Sequence, residues 1–114
     1  MPDEDRSLAG RLAALVNESV SELEGIQPRS VGDVVEYRVD GTLFAALHGG
    51  VLEVELGPAI ASAAIRTADT KASDRGSGWV RFAPRVLDRF GSDRARSWFE
   101  AAWRRASGLS SSAG

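Results

Sequence analysis

The chain has 114 residues, a formal net charge of −2, a single histidine and no cysteine. This length supports one compact domain, and the lack of cysteine excludes disulfides, zinc–thiolate sites, iron–sulfur clusters and cysteine nucleophiles. A hydrophobic content of 43% with 26% charged residues is typical of a folded globular domain. No apolar stretch approaches the roughly 20 residues of a membrane span. The acidic start at residues 3–5 is unlike a secretory signal, so we expect a cytoplasmic protein without membrane contact.

An amphipathic helix is predicted over residues 7–23, after a flexible start at residues 1–6. Its apolar positions recur at helical spacing, and glutamates occupy the opposite face. Gly25 supplies the expected stop, and Pro28 prevents the helix from continuing. The apolar positions are Leu8, Leu12, Leu15, Val16, Val20 and Leu23.

A three-stranded antiparallel meander is predicted next, with strands at residues 35–39, 42–47 and 51–56. Apolar and polar residues alternate in the first and third of these segments, which is the period of a half-buried strand. The dipeptide Asp40-Gly41 favours a two-residue hairpin turn, and Gly49-Gly50 makes a second tight turn.

The polar side chains of the meander include candidate catalytic groups. Glu53 and Glu55 share one strand face and resemble a carboxylate pair, but a sheet with one wet face makes them more simply solvent-facing residues. His48, beside the Gly-Gly turn, is predicted as a solvated hairpin residue rather than a base or pH switch. The sequence also lacks phosphate-binding loops, dinucleotide fingerprints and nucleophile elbows. We therefore expect neither an enzyme nor a cofactor or metal site.

The second half of the chain predicts a short helix, a strand and a final helix. Gly57-Pro58 opens the short helix, which can face the sheet with Ile60, Ala63, Ala64 and Ile65. Residues 66–77 lose periodicity and form the longest predicted loop. A fourth strand follows at residues 79–82, with a turn of helix through Val86, Leu87 and Phe90. Ser92 is the expected N-cap of the last helix, which Gly108 ends.

These elements give the order αβββαβα. The sequence predicts an α+β domain over residues 7–107, with helices on one face of an antiparallel sheet of about four strands. Flexible tails are expected at residues 1–6 and 108–114.

Several short motifs occur in a characteristic order along this domain. The strands at 35–39 and 42–47 are joined by Asp40-Gly41, and the segment 52–58 (LEVELGP) runs from a strand into a helix. After a polar loop, Gly78-Trp79-Val80 starts the last strand, and Trp98 lies in the closing helix. With these features, residues 8–107 resemble the TfoX N-terminal domain family and the related YjbR/MmcQ family of small bacterial proteins.

The chain departs from the family pattern before its first predicted strand. Family members often have an aromatic residue followed by two glycines there, whereas this chain has Ser30-Val31-Gly32-Asp33. The resemblance implies a divergent small α+β domain. It also implies a regulatory or DNA-binding role, because the TfoX name comes from a competence regulator and the YjbR group is described as having a double-wing shape. It implies no catalytic residue.

Charge is unevenly distributed along the chain, which raises the possibility of a nucleic-acid surface. Residues 1–56 carry four arginines against eleven acidic residues, and residues 57–114 carry nine arginines and one lysine against five acidic residues. Arginines that neutralise phosphates, a stacking tryptophan and glycines that expose backbone N–H groups would form an anion site. The alternative is that the two halves face each other or pair in a dimer. The candidate anion-site residues are Arg75, Gly76, Gly78, Trp79, Arg81 and Arg85.

Trp103 is the candidate interface residue. It lies roughly 140° around the last helix from Trp98, at the edge of the apolar stripe. An exposed Trp103 could anchor a homodimer or another partner, whereas a packed Trp103 would close the rim of the core. We predict a non-enzymatic binding or regulatory module that acts through protein–protein contacts, with a weak nucleic-acid-binding protein as the alternative.

Overall fold

The computed structural model describes residues 7–108, which form three helices and a six-stranded antiparallel sheet. The sheet order is β1-β2-β3-β4-β6-β5. The predicted tails lie outside this range, except for Gly108. In chain order the elements are α1 (Leu8–Glu22), β1 (Ile26–Val31), β2 (Val34–Val39), β3 (Thr42–His48), β4 (Val51–Glu55), α2 (Pro58–Ala64), β5 (Thr70–Ala72), β6 (Trp79–Phe82) and α3 (Arg89–Ser107).

The predicted α+β class is confirmed, but the sheet has two more strands than the four predicted. β1 pairs with β2 from Ile26↔Val39 to Val31↔Val34. β5 lies within the segment predicted as a loop and adds three residues to the far edge beside β6. Both extra strands are at the edges of the sheet, where most of their side chains are exposed and a hydrophobic period is absent.

The core lies between one face of the sheet and the three helices. Tyr37, Ala45, Val54 and Val80 follow one another across β2, β3, β4 and β6 and are all buried. Phe99 of α3 meets the Tyr37 ring edge-on, with the ring centroids 5.3 Å apart. Such edge-to-face contacts add to the free energy from burial of the rings.

A bulge in the β2–β3 ladder positions a second aromatic side chain in this core. The register shifts between Tyr37 and Arg38, so Phe44 and Ala45 are both fully buried although they are adjacent in sequence. The Phe44 ring lies 5.3 Å from the Phe99 ring. The bulge thus allows one strand to direct two successive side chains into the core.

The predicted orientation of the short helix is wrong except at Ala64. Ile60 is 53% exposed, Ile65 is 44% exposed and Ala63 is exposed as well, whereas Ala61 and Ala64 are buried. α2 therefore packs on β5 and β6 with its small side chains. Apolar character alone did not reveal this helix phase, because both faces carry apolar residues.

The last helix begins earlier than predicted. Asp88, not Ser92, is the N-cap, and its Oδ1 accepts a hydrogen bond from the Gly91 N–H at 2.8 Å. α3 ends at Gly108, as predicted, where a left-handed conformation with φ of 82° suits glycine. Within residues 7–108 no helix has both the length and the apolar character needed to cross a bilayer.

Candidate functional site

Arg75, the first residue of the predicted anion site, is already paired with a carboxylate of its own chain. It lies in the connection between β5 and β6, and its Nε donates a hydrogen bond to Glu53 Oε1 at 2.9 Å. Its guanidinium carbon lies 5.6 Å from the centre of the Trp79 ring. Arg75 therefore fastens its loop to the sheet through one ion pair and one cation–π contact.

Glu53 is the centre of this arrangement, and its predicted solvent exposure is wrong. Only 8% of the residue is exposed. Ser73 donates its hydroxyl hydrogen bond to Glu53 Oε2 at 2.6 Å, and His48 Nε2 lies 3.5 Å from Oε1. The strand alternation correctly put Glu53 on the face away from the core, but the loop that follows β5 covers that position.

The electrostatic environment keeps Glu53 ionised. Burial by itself raises the pKa of Glu53, but the hydrogen bonds from Ser73 and Arg75, together with the charges of Arg75 and His48, lower it further than burial raises it. A carboxylate with a lowered pKa is a weak base, and Ser73 donates to it directly without an intervening imidazole. Through these contacts the cluster holds the loop that follows β5 against β4.

Sequence reasoning missed Ser73 as a partner of Glu53. The two residues are 20 positions apart, and no motif joins them. The only available signal was the length of the polar loop, since long loops often cover part of a surface. No group of three or more His, Asp or Glu side chains in residues 7–108 is arranged to hold a metal ion.

The predicted glycines have a packing role at the start of β6. Gly78 has φ of +88°, and a Cβ added there would lie 2.8 Å from Glu55 Oε2 and 3.0 Å from Gly57 Cα. The Gly78 carbonyl accepts a hydrogen bond from Leu56 N–H at 2.8 Å. Gly76 has φ of +149°, a conformation that favours glycine, although a Cβ there would lie at an ordinary contact distance of 3.6 Å from Trp79 Cδ1. The close approach of backbones explains Gly78, and the positive φ explains Gly76, without an anion.

Trp79 and Arg81 lie on the same face of β6 as the Glu53 cluster, since Arg81 is next to Glu53 on one side and next to Lys71 on the other. Trp79 is half-buried beneath Arg75. In the part of the chain that the structure describes, no carboxylate lies within ion-pair distance of Arg81 or Lys71. Arg81 of the predicted surface and its neighbour Lys71, which was not predicted, are thus positive charges without an ion-pair partner.

Arg85 is separated from the other predicted residues. It follows β6, at the opposite end of that strand from Trp79, and its side chain is 89% exposed. Asp69 holds it through two hydrogen bonds of 3.2 Å, from Arg85 Nε to Oδ1 and from the backbone N–H to Oδ2. The structure thus brings Arg75, Trp79 and Arg81 together and places Arg85 elsewhere.

Arg85 instead borders a groove that sequence analysis did not anticipate. The groove has a volume of about 480 Å³ and lies between the end of β6 and the start of α3. Val86 and Phe90 stand at its border with 68% and 71% exposure, while Leu87 between them is buried. The residues that line it include Asp69, Phe82, Pro84, Asp88, Gly91 and Arg94.

A larger depression of about 620 Å³ lies beside α1, but it has a different character. Small side chains such as Ala13 and Ala14 line it, and none of the large exposed apolar side chains borders it. Exposed apolar surface is what distinguishes an interaction site from an ordinary surface depression. The groove beside Phe90 is therefore the better candidate for a binding site.

Trp103, the predicted interface residue, is half-buried and packs against the core. Its indole Nε1 donates a hydrogen bond to the carbonyl of Glu24 at 2.9 Å. Glu24 lies in the turn between α1 and β1. This geometry favours the alternative in which Trp103 closes the rim of the core.

Comparison of the chain with protein-family models, with curated proteins and with solved structures finds no match. The resemblance to the TfoX N-terminal and YjbR/MmcQ families therefore stays a prediction.

Proposed function

We propose that this protein is a non-enzymatic binding module that engages another protein through the groove between β6 and α3. The observation that carries this proposal is the exposure of Val86 and Phe90 at the border of the groove. Burial of each of these side chains by a partner would contribute about 1.5–3 kcal/mol. Aromatic side chains beside a pocket are typical anchor points of protein interfaces.

The remaining features of the site agree with binding rather than with chemistry. The Glu53 carboxylate accepts hydrogen bonds from Ser73 and Arg75 of the same chain. The segment that borders the groove is tied to the rest of the fold by hydrogen bonds. Arg11 Nη2, for example, donates to the Leu87 carbonyl at 2.6 Å and ties this segment to α1. A rigid border lowers the entropic cost of binding. A regulatory role would also fit the TfoX resemblance.

The test is selection of peptides from a phage-displayed random library on the full chain, followed by affinity measurements. Phe90→Ala should weaken binding of the selected peptides at least about tenfold, because it removes the exposed apolar anchor. Ile60→Ala is the matched control, since Ile60 is also an exposed large apolar residue but lies on α2. Equal affinities for the wild type and Phe90→Ala would refute the proposal.

Nucleic-acid binding is the second candidate, favoured by the unpaired neighbours Lys71 and Arg81 beside Trp79. Binding of labelled DNA and RNA over a salt series tests it, because phosphate contacts weaken steeply with salt. Lys71→Glu combined with Arg81→Glu should abolish such binding, and Arg85→Glu, which changes an arginine outside that surface, is the control. Absence of binding at low salt would retire this candidate.

A further inference from the structure

Arg94 lies on the wall of the groove, next to two aromatic rings. Its guanidinium carbon lies 5.9 Å from the centre of the Phe82 ring and 5.9 Å from the Trp98 ring. These two rings contact each other edge-to-face, with their centroids 5.6 Å apart. A guanidinium that contacts aromatic rings keeps its planar set of N–H donors available for a further partner.

The other charged side chains of the groove have hydrogen-bond or ion-pair partners, whereas Arg94 has no carboxylate partner among the described residues. Both carboxylate oxygens of Asp69 accept hydrogen bonds from Arg85, and Asp88 caps α3 through Gly91. Among residues 7–108, no carboxylate comes within ion-pair distance of Arg94. Arg94 is therefore the one arginine of the groove lining without a carboxylate partner, and it lies next to an exposed apolar border.

From this juxtaposition we infer that the groove binds an acidic, apolar segment of a partner protein. A carboxylate of that segment pairs with Arg94, and a leucine- or phenylalanine-sized side chain packs on Val86 and Phe90. Arginine and carboxylate match each other in a bidentate geometry, which fixes orientation as well as charge. The inference rests on the proposed function and adds the chemical class of the partner.

The test is a double-mutant cycle on the peptides selected from the random library. Fluorescein-labelled peptides are titrated by fluorescence anisotropy with the wild type and with Arg94→Gln. Each peptide is also made with amides in place of its carboxylates. We expect the peptides to contain Asp or Glu beside a bulky apolar residue. Arg94→Gln should weaken binding about tenfold or more, and the amide peptide should lose a similar factor on the wild type but little on Arg94→Gln.

Arg96→Gln is the matched control, because Arg96 lies on the same helix but pairs with Glu18 on α1. Its peptide affinity should equal that of the wild type. The amide peptides keep the test valid if Arg94→Gln fails to fold, since they probe the same contact on unchanged protein.

The outcomes separate the two proposals. If Phe90→Ala abolishes binding but Arg94→Gln and the amide peptides have no effect, the acidic partner is wrong and the binding module stands. If none of these changes has an effect, both proposals are wrong. A dimer in sedimentation velocity that Phe90→Ala dissociates and that excludes the peptides would assign the groove to self-association and overturn the inference.

Discussion

Glu53 draws its partners from two different connections of the sheet. His48 ends β3, while Ser73 and Arg75 belong to the connection between β5 and β6. A buried carboxylate is tolerated only when hydrogen bonds and opposite charge replace its hydration. The cluster thus fastens the loop that carries Arg75 onto the outer face of the sheet.

Replacement of this carboxylate should measure the strength of the fastening. We expect Glu53→Gln to lower the free energy of unfolding by about 1–3 kcal/mol at neutral pH, since the ion pair between the buried Glu53 carboxylate and Arg75 is lost. Urea unfolding gives this value. Glu55→Gln is the matched control, because its ion pair with Arg105 is more exposed and should contribute less. Equal losses for both variants would contradict the argument.

Comparison of the wild type with Glu53→Gln also gives a prediction for the pH dependence of stability, with a defined sign. Because the pKa of folded Glu53 is lowered from its ordinary value of 4.5, the unfolded state takes up a proton first on acidification. The stability from Glu53 is present above that value and is lost as the pH falls through the lower folded-state pKa. The difference between the wild type and Glu53→Gln should therefore shrink below about pH 4.5. If the difference in unfolding free energy between the two proteins grows on acidification, the pKa of Glu53 is raised in the folded state and the prediction is wrong.

Among the secondary-structure elements, the edge strands are those that local sequence signals were insufficient to predict. β1 contains Pro28, which suggested only the end of the preceding helix. The turn at Gly32-Asp33 makes Val31↔Val34 the first pair of the hairpin. Alternation from that pair places the Pro28 nitrogen on the side away from β2. Proline is tolerated there, and it leaves the outer edge without one donor for unwanted strand pairing.

The start of α3 offers a direct comparison of the predicted and observed caps. Asp88→Ala should lower the free energy of unfolding by about 1 kcal/mol, because the Gly91 N–H loses its acceptor. Ser92→Ala should be neutral or slightly stabilising, since Ser92 lies inside the helix, where alanine is favoured. Urea unfolding at neutral pH measures both. A larger loss for Ser92→Ala than for Asp88→Ala would restore the predicted boundary.

At the scale of the whole molecule, the uneven charge distribution is partly resolved by contacts between the two halves of the chain. Glu18 pairs with Arg96, and Glu53 with Arg75, at 3.0 and 2.9 Å. Glu55 pairs with Arg105 at 2.9 Å. Each pair joins an acid from the first half to an arginine from the second. The asymmetry therefore supports the interpretation that the halves face each other and gives little reason to expect a dimer.

Trp103 joins the end of α3 to the turn between α1 and β1, so its removal should affect global stability. We expect Trp103→Ala to lower the free energy of unfolding by about 2–4 kcal/mol, since a large packed side chain is lost. Trp103→Phe should lose about 1 kcal/mol, mainly from the hydrogen bond to Glu24. The mass from sedimentation velocity should not change. A halved mass with unaltered unfolding would instead identify Trp103 as an interface residue.

Local patterns were sufficient for much of the fold. The helical period of residues 8–22, the Asp40-Gly41 turn, the alternation in β2 and β4 and the final αL glycine are properties of a few adjacent residues. Short-range sterics and hydrogen bonds dictate such features, so they can be predicted without the rest of the chain.

The candidate site depends on contacts between residues far apart in sequence. Ser73 and Arg75 reach Glu53 across 20 and 22 positions, and the groove forms where Asp69 and Arg85 meet the start of α3. The exposure of Ile60 and Phe90 likewise depends on which apolar side chains the other elements cover. Whether a side chain is buried or paired is decided only in the folded protein, because it depends on which residues of other elements lie next to it.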